Sequence, residues 1–499
     1  MPLSELLATA AIAGSARSNP AIVDISEDSR EVAPGWVFVA IPGTAKDGAR
    51  FVPDAVARGA SAVLAETPIS AGVPVIVVAN ARESLADCAA ALHGFPSRRL
   101  PCFGITGTDG KTTTSFLLAS ILDYADMPAG LLTTVESRVG GHSVPLSGRL
   151  TTPGAAYLQR TLAQMVVAGD RAAVVECSSH GLALDRLRNV DLRAAAITNI
   201  AQDHIEFHGS HEEYARAKAR IFELTVDGGS VLLNADDPVS MSLSTPPGRR
   251  VITFGLADTA SLRASALSSS LAKTTFTIRW DGAEIDASIP LGGDFNVYNA
   301  LAAVGLAISF GVPITDAAAG LARARTPVGR LQAIDVGQPF AVFVDYAHTV
   351  QAFTLLLPSL AEVAHRQNGR LIIVFGVGGD RDHAKRPALA RLAAANTDYF
   401  VITTEDPYGE AASDIIAEIA VGAPTEEKER RWTTREDRRD GIECAIAHAR
   451  PNDIVAILGK GHENKITTGE QHRPWSDEAA CRELLAELGY AEPVGVGSG

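Results

Sequence analysis

The sequence is poor in cysteine, in aromatic residues and in positive charge. Only five cysteines occur in 499 residues, at 88, 102, 177, 444 and 481, and no two form a C-x-x-C pair. That excludes a zinc framework and a disulfide scaffold, and it points to a reducing, cytoplasmic setting. No run of 18 apolar residues occurs, and the opening MPLSELLATAAIAGSA has no basic leader ahead of an apolar stretch. The reading is therefore a soluble chain with no signal peptide and no membrane span. A net charge of −14 argues against a nucleic-acid partner held by a broad positive field, although a local basic cleft for phosphorylated substrates stays open. No period of 20–50 residues marks a repeat protein.

What is present is core. Hydrophobic residues make up 46% of the chain and charged ones 20%, the balance of a globular protein long enough for two or three domains. Residues 20–95 alternate β-like runs (WVFVAIPG, SAVLAE, VPVIVVAN) with helix-like ones (DAVARGA, ESLADCAAALHGF), which reads as a small α/β unit. FPSRRLP at 95–101 reads as a linker. A second α/β region follows. Its strands are expected at FGIT, RAAVVEC, AAAITNI and SVLLN, with antiparallel β structure over 251–290 and an alanine-rich helix from Asn296. From Val328 the runs FAVFVDYAH, RLIIVFGVGG, DYFVITT and DIVAILG alternate with helical stretches, the pattern of a mostly parallel sheet. The expected boundaries are 1–98, 99–327 and 328–499.

The most informative stretch is GITGTDGKTTT, residues 104–114. A strand, a glycine turn and a helix start place backbone N–H groups around an anion; a lysine adds charge and a hydroxyl can hold magnesium. Gly107, Thr108, Asp109 and Gly110 form the turn, Lys111 supplies the charge, and Thr112 and Thr113 the hydroxyls. Ile105 stands where the strict pattern wants its first glycine. By itself the loop says nucleotide phosphate and leaves the chemistry open.

Downstream, Glu176, Asp203, His204, His208 and His211 first suggest zinc, but H-x-E-x-H sets the glutamate one place away from the H-E-x-x-H of a metalloprotease. Phosphate chemistry wants hard oxygen ligands and magnesium, which Glu176 at a strand end suits. Lys218 in YARAKARIF, taken alone, is a solvated helix lysine. FGVGGDR could hint at a dinucleotide loop through Gly376, Gly378 and Gly379, but the third glycine of G-x-G-x-x-G would fall at Arg381.

TGTDGKTTT closely resembles the ATP loop of the Mur ligases, which build the peptide stem of bacterial cell-wall precursors; that family usually carries Asn where Asp109 stands. The resemblance runs along nearly the whole chain. It implies three α/β domains: a small N-terminal UDP-binding domain, a central P-loop ATPase domain with a parallel sheet, and a C-terminal Rossmann-like domain. It implies ATP and Mg2+ as cofactors, with Thr112 and Glu176 at one magnesium and His204 and a carbamylated Lys218 (N6-carboxylysine) at the other. Lys111, Glu176, His204 and Lys218 form the implied catalytic set. DSREVAPGWVFVAIPGTAKDGARF resembles the uridine-binding segment of the members that add the third stem residue, which places Ser29, Thr44, Ala45 and Lys46 near the UDP. Thr151, Thr152, Ser178 and Arg186 match the muramoyl-peptide pocket, where Leu184 replaces a glutamine found in some members. Asn296 and Asn299 match the adenine site, and Arg330 and Asp345 match residues that meet ATP from the C-terminal domain. Val350 replaces a common proline.

The resemblance implies as partners UDP-N-acetylmuramoyl-dipeptide and a free amino acid, and a monomer is expected. Arg381, Gly459 and Glu463 match amino-acid contacts. Members that add meso-diaminopimelate carry D-N-P-R, matched here by Glu405-Asp406-Pro407-Tyr408. Tyr408 cannot offer a bidentate cation to a carboxylate, and two adjacent acids favour a side-chain ammonium, as in lysine or ornithine. Glu405 and Asp406 could instead cap the helix that follows. Other readings are a folylpolyglutamate or later stem-residue ligase, a non-catalytic nucleotide-binding partner, and a P-loop hydrolase or kinase.

Overall fold

The computed structural model describes residues 1–14, 18–43, 47–146 and 150–490. Three sheets carry the fold, and the second and third place loop sets at one central crevice. The first has four parallel strands in chain order, Asp24–Ser26, Trp36–Ala40, Ala62–Ala65 and Val75–Val77. They are short and mostly buried, and the helix Ala81–Leu92 covers them, started by Asn80, whose side chain accepts the N–H groups of Arg82 and Glu83. The core of this unit takes in Ala155 and Ala156 of the neighbouring unit. Across the same junction Arg160 Nε donates to Asp24 Oδ2 and Arg188 Nε to Asp87 Oδ1, both at 2.7 Å.

FPSRRLP is a packed corner and not a slack linker. Pro96 and Ser97 are buried, and the Ser97 hydroxyl donates to the Asn189 carbonyl at 3.2 Å while accepting the Asp191 N–H at 3.0 Å. A polar backbone turned inward must be satisfied locally, and one serine does both halves of that here.

The central sheet has eleven strands. Its seven inner strands are parallel, and Cys102–Thr106 lies between Ala172–Glu176 and Leu192–Ile197. The chain turns to opposite sides of this strand, so its C-terminal end is the topological switch point where α/β sheets bind ligands. Antiparallel strands flank both edges. The 251–290 region is mixed: Arg250–Gly255 pairs in parallel with Asn234 and its neighbours and with Leu262–Ser269, which in turn pairs antiparallel with Thr274–Trp280, itself antiparallel to Ala283–Ile289. The alanine-rich helix spans Phe295–Ser309 and is buried over most of its surface, packed between this sheet and the helix Lys111–Tyr124. Small side chains permit that close approach.

The C-terminal sheet orders its strands Gln332–Ile334, Ala341–Asp345, Ile454–Leu458, Leu371–Phe375, Tyr399–Ile402 and Trp432–Thr434. All pair in parallel except the first. The four apolar runs of the sequence form its four inner strands. The short edges and the hairpin Lys465–Thr468/Gln471–Pro474 carry no apolar run to announce them.

Candidate active site

The phosphate loop is shaped by two close approaches. A Cβ at Gly107 would stand 1.8 Å from Thr198 Oγ1, and one at Gly110, where φ is +85°, would stand 2.1 Å from Asn299 Oδ1. Neither position admits a side chain. Gly110 also starts the helix Lys111–Tyr124 with no side-chain cap, which leaves first-turn N–H groups for an anion. Lys111 folds back over the loop, donating to the carbonyls of Gly107 at 3.0 Å and Thr108 at 2.8 Å.

Around this loop lies a cavity of about 330 Å³. The loop residues 108–112 form its floor; Thr151, Ser178 and Arg186 stand on one side, and Arg381, Glu405, Asp406, Tyr408 and Glu463 on another. Residues from two sheets thus meet in one space. The sequence analysis did not single out His180, Tyr346, His348, Asp382 and Lys385, which also line it. His348 ends the quoted run FAVFVDYAH and Lys385 stands four residues after Arg381, so proximity to matched residues was the available signal.

The Thr112 hydroxyl donates to Glu176 Oε1 at 3.0 Å, and Glu176 Oε2 accepts the Thr134 N–H at 3.0 Å. This buried hydroxyl–carboxylate pair is a set of hard oxygens that fits magnesium. His204 lies in the same cavity, its Nε2 3.4 Å from Asp203 Oδ2. Burial lowers its pKa. The same effect, aided by His204 and His208, pushes His180 down to about 4, and burial beside Lys385 takes His348 to about 4. The imidazoles facing the phosphate loop are therefore neutral near pH 7 and free to accept a proton or a cation.

Lys218 is not a solvated helix lysine. It is fully buried, its Nζ donates to the Gly107 carbonyl at 2.6 Å, and it lies 4.5 Å from the centre of the Tyr214 ring. Burial and then the nearby Lys111 charge hold its pKa well below the ordinary lysine value. It sits behind the loop and outside the cavity lining. Among the described residues no cluster of three His, Cys, Asp or Glu side chains could hold a metal, so a magnesium here would lean on few protein groups, as that ion commonly does.

A second, apolar cavity of about 80 Å³ opens beside the loop, lined by Gly110, Thr113, Asn296, Asn299, Arg330 and Asp345 with Leu291, Phe295, Leu331 and Leu356. Asn299 Nδ2 donates to Asn296 Oδ1 at 2.9 Å. Asp345 accepts the N–H groups of Leu331 and Ala347, both at 2.7 Å, and so holds the Arg330 turn in place. Asp109 stands between the two cavities. Its carboxylate accepts the Thr349 hydroxyl at 3.2 Å, a bond from the central sheet to the C-terminal one, and burial raises its pKa.

Other expected site residues lie further off. Ser29 is buried with its hydroxyl donating to Asp54 Oδ2 at 2.8 Å and lines neither cavity. Thr44, Ala45 and Lys46 lie outside the described residues. Thr152 sits behind the wall, donating to the Glu176 carbonyl at 2.8 Å and accepting the Ser178 N–H at 2.7 Å. Gly459 lies next to Glu405 without lining the cavity; its φ is +110°.

Glu405 and Asp406 do not cap the helix Ala412–Ala420, whose first turn has no side-chain cap. They face the cavity instead. Burial pushes the Glu405 carboxyl up to about 7. The glycines of FGVGGD serve this loop: a Cβ at Gly376 would stand 2.5 Å from the Thr403 carbonyl oxygen, and one at Gly379 1.9 Å from that of Pro407. They let two loops pack, which accounts for them without a dinucleotide. The Arg381 guanidinium lies 5.5 Å from the centre of the Tyr408 ring.

Known proteins resemble this chain along most of its length. Three family models match in order: "Mur ligase family, catalytic domain" over 22–93, "Mur ligase middle domain" over 105–307, and "Mur ligase, glutamate ligase domain" over 329–461. A protein of Roseiflexus sp. (strain RS-1) named UDP-N-acetylmuramyl-tripeptide synthetase is 40% identical, covering 95% of this chain and 96% of its own. One of Geobacillus kaustophilus (strain HTA426) named UDP-N-acetylmuramoyl-L-alanyl-D-glutamate--2,6-diaminopimelate ligase is 35% identical, covering 94% and 96%. A solved structure of a ligase with that second name aligns with a TM-score of 0.63 at 28% identity, over 94% of this chain and 96% of the other. MurF from Acinetobacter baumannii, at 22% identity and a TM-score of 0.67 over 98% and 99%, shares the fold. By full-length relatives and by family models running from residue 22 to 461, this chain belongs to the Mur ligase family of ATP-dependent amide ligases.

Proposed function

We propose that the protein adds the third residue to UDP-N-acetylmuramoyl-L-alanyl-D-glutamate in peptidoglycan synthesis, and that this residue is a diamino acid, lysine or ornithine. The observation that carries the reading is the shared cavity, in which phosphate-loop residues, Thr151, Ser178 and Arg186, and the Arg381 and Glu405 loops face one another. The names of the tripeptide synthetase and diaminopimelate ligase relatives support the acceptor.

ATP gives its γ-phosphoryl group to the free D-glutamyl carboxylate, and ADP leaves. The amine of the incoming amino acid attacks the acyl carbon, the bond to phosphate breaks, and an amide forms as the amine sheds its proton. Lys111 swings off its loop carbonyls to meet the transferring charge. Asn296 and Asn299 face the adenine, and Arg330 with Asp345 meets ATP from the C-terminal side. Thr152 acts by fixing Glu176 and Ser178. Ser29, with Thr44 to Lys46, serves the UDP. Arg381 meets the α-carboxylate of the amino acid.

Thr112 and Glu176 would hold one magnesium, His204 and carbamylated Lys218 another, and these ions would neutralise the charge that repels two anionic reactants. The low pKa of Lys218 supports carbamylation, because a neutral amine adds to CO2 with loss of one proton. Domain boundaries at 98/99 and 327/328, with closure about 326–329, would bring the reactants together. The enzyme would act as a cytoplasmic monomer; in the described residues no helix is long and apolar enough to cross a membrane.

Meso-diaminopimelate is the second reading, favoured by the names of relatives at 35% identity. Phosphate release and product mass with lysine, ornithine and meso-diaminopimelate decide between them. Release that depends on lysine or ornithine, with the matching tripeptide mass, is expected. Release with diaminopimelate alone overturns the amino acid, and release with none overturns third-residue addition.

A further inference from the structure

Lys385 lines the cavity of about 330 Å³ together with Lys111, Asp203 and His348, and the steps above give it no part. It is the first residue of the helix Lys385–Asn396, whose first turn holds no acid and whose N-cap, Ala384, offers no side-chain bond. The helix dipole opposes a cation at that end, so helix stability does not account for this lysine.

Neighbouring cations show how the fold treats a positive charge that it holds for structure. Arg386 is fully buried and donates to Glu410 Oε1 at 2.7 Å, to Glu410 Oε2 at 2.8 Å and to Glu418 Oε2 at 2.8 Å. Lys460 is buried as completely, donates to Glu463 Oε2 at 2.6 Å and lies 3.1 Å from Asp406 Oδ2. Lys385 is half-buried, and among the described residues its ammonium has no hydrogen bond and no ion pair. The chain carries 58 acidic residues and a net charge of −14. A cation left without a carboxylate in such a protein is available to an anion that enters the cavity.

The charge of Lys385 is felt across that space. Burial raises the Asp203 carboxyl, and His204, His348, Lys385 and Lys111 together bring it below the ordinary value. Lys111 follows a strand of the central sheet and Lys385 follows one of the C-terminal sheet. Two ammonium groups therefore meet one cavity from two sheets.

We propose that Lys385 is a catalytic residue of the second half of the reaction: its ammonium meets the phosphoryl oxygens of the acyl phosphate and stabilises the charge that develops as phosphate leaves. This rests on the ligase reading above and assigns Lys111 and Lys385 to separate half-reactions. In that step the lone pair of the neutral amine forms the C–N bond. The C–O bond to phosphate breaks with its electron pair on the phosphate oxygen, and one amine proton passes to the phosphate, which departs as hydrogen phosphate. Negative charge on that oxygen grows towards the transition state, and a fixed ammonium contributes most where charge develops.

The test times the two halves separately in the full-length enzyme. Acyl phosphate made from ATP, magnesium and the UDP-dipeptide without amino acid is quenched and trapped with hydroxylamine. Its consumption is then followed after addition of lysine, ornithine or meso-diaminopimelate, whichever the wild type turns over. Lys385→Met is expected to form acyl phosphate within about five-fold of the wild-type rate and to slow its consumption by about 100-fold or more, with KM for the amino acid within about three-fold. Lys385→Arg, which keeps the charge, should recover about ten-fold or more of that loss. Lys385→Gln covers the case that Lys385→Met does not fold, and acyl-phosphate formation reports folding in both.

Equal losses in the two halves overturn the proposal, since Lys385 would then serve phosphoryl transfer or the fold. So does a raised KM for the amino acid with an unchanged rate at saturation, the mark of a contact to the substrate carboxylate. Consumption at the wild-type rate in Lys385→Met overturns it as well. A wild type that traps no acyl phosphate at all sinks the ligase reading itself.

Discussion

The phosphate loop and the acidic recess of Glu405, Asp406 and Glu463, the proposed amino-acid site, lie on the same cavity and are built in opposite ways. The loop is made of backbone: two glycines that admit no Cβ, a helix start without a side-chain cap, and one charge, Lys111, folded back on the loop carbonyls. The recess is made of side chains, three acids and one buried lysine whose pairing decides which charge is left over. A backbone-built site tolerates little change and recognises a phosphate common to many reactions. A side-chain site can be retuned residue by residue, which is where a family that adds different amino acids should vary.

Breaking the backbone side should cost most. Lys111→Ala is expected to lower kcat by about a thousand-fold or more, because the charge it supplies is greatest in the transition state; single-turnover acyl-phosphate formation would read this directly. Removal of divalent metal with EDTA should abolish the same step, with magnesium restoring it. Lys218→Met should come next, at about a hundred-fold or more in kcat. A 13C carbamate signal from labelled bicarbonate should disappear with it, and its absence from the wild type would refute the carbamate.

The recess side should answer to pH. Burial pushes the Glu405 carboxyl up to about 7, and the side-chain ammonium of the proposed diamino substrate needs its carboxylate form. KM for lysine should therefore fall by about ten-fold between pH 6 and pH 8, with KM for ATP following a different profile. Glu405→Gln should flatten the lysine curve.

The smallest effect should come from Asp109, the bond between the two sheets. Asp109→Asn retains an acceptor for the Thr349 hydroxyl and removes a negative charge from the phosphate site, so KM for ATP should drop about two- to three-fold with little change in kcat. Asp109→Ala should raise it, and equal behaviour of the two variants would show that the Thr349 bond carries no weight.

Much of this was legible in the chain. GITGTDGKTTT sits where a strand–turn–helix reading places it, and the four C-terminal apolar runs are the inner strands of one sheet. Periodicity reports such elements because burial on both faces demands continuous apolar residues. Edge strands such as Gln332–Ile334 and Trp432–Thr434 were silent for the converse reason, being three residues long. Taken alone, apart from the family resemblance, Lys218 read as solvated because an isolated lysine in a polar helix carries no mark of what packs over it. The pair Glu405-Asp406 read as two equal acids, and its capping alternative fails because the next helix begins at Ala412.

The sequence by itself determined the order of α/β units, the phosphate loop and the residue types available for phosphate and carboxylate chemistry, since these follow from local periodicity and from glycine and lysine spacing. Only the tertiary structure decided that Lys218 is buried against Gly107, that Asp109 touches Thr349 across two sheets, and that Lys460 pairs with Asp406 and Glu463 while Glu405 Oε2 has no hydrogen-bond partner among the described residues. Each of those depends on through-space distance between residues far apart in the chain or held by folded loops, and electrostatic effects at 3 Å follow that distance and not sequence separation.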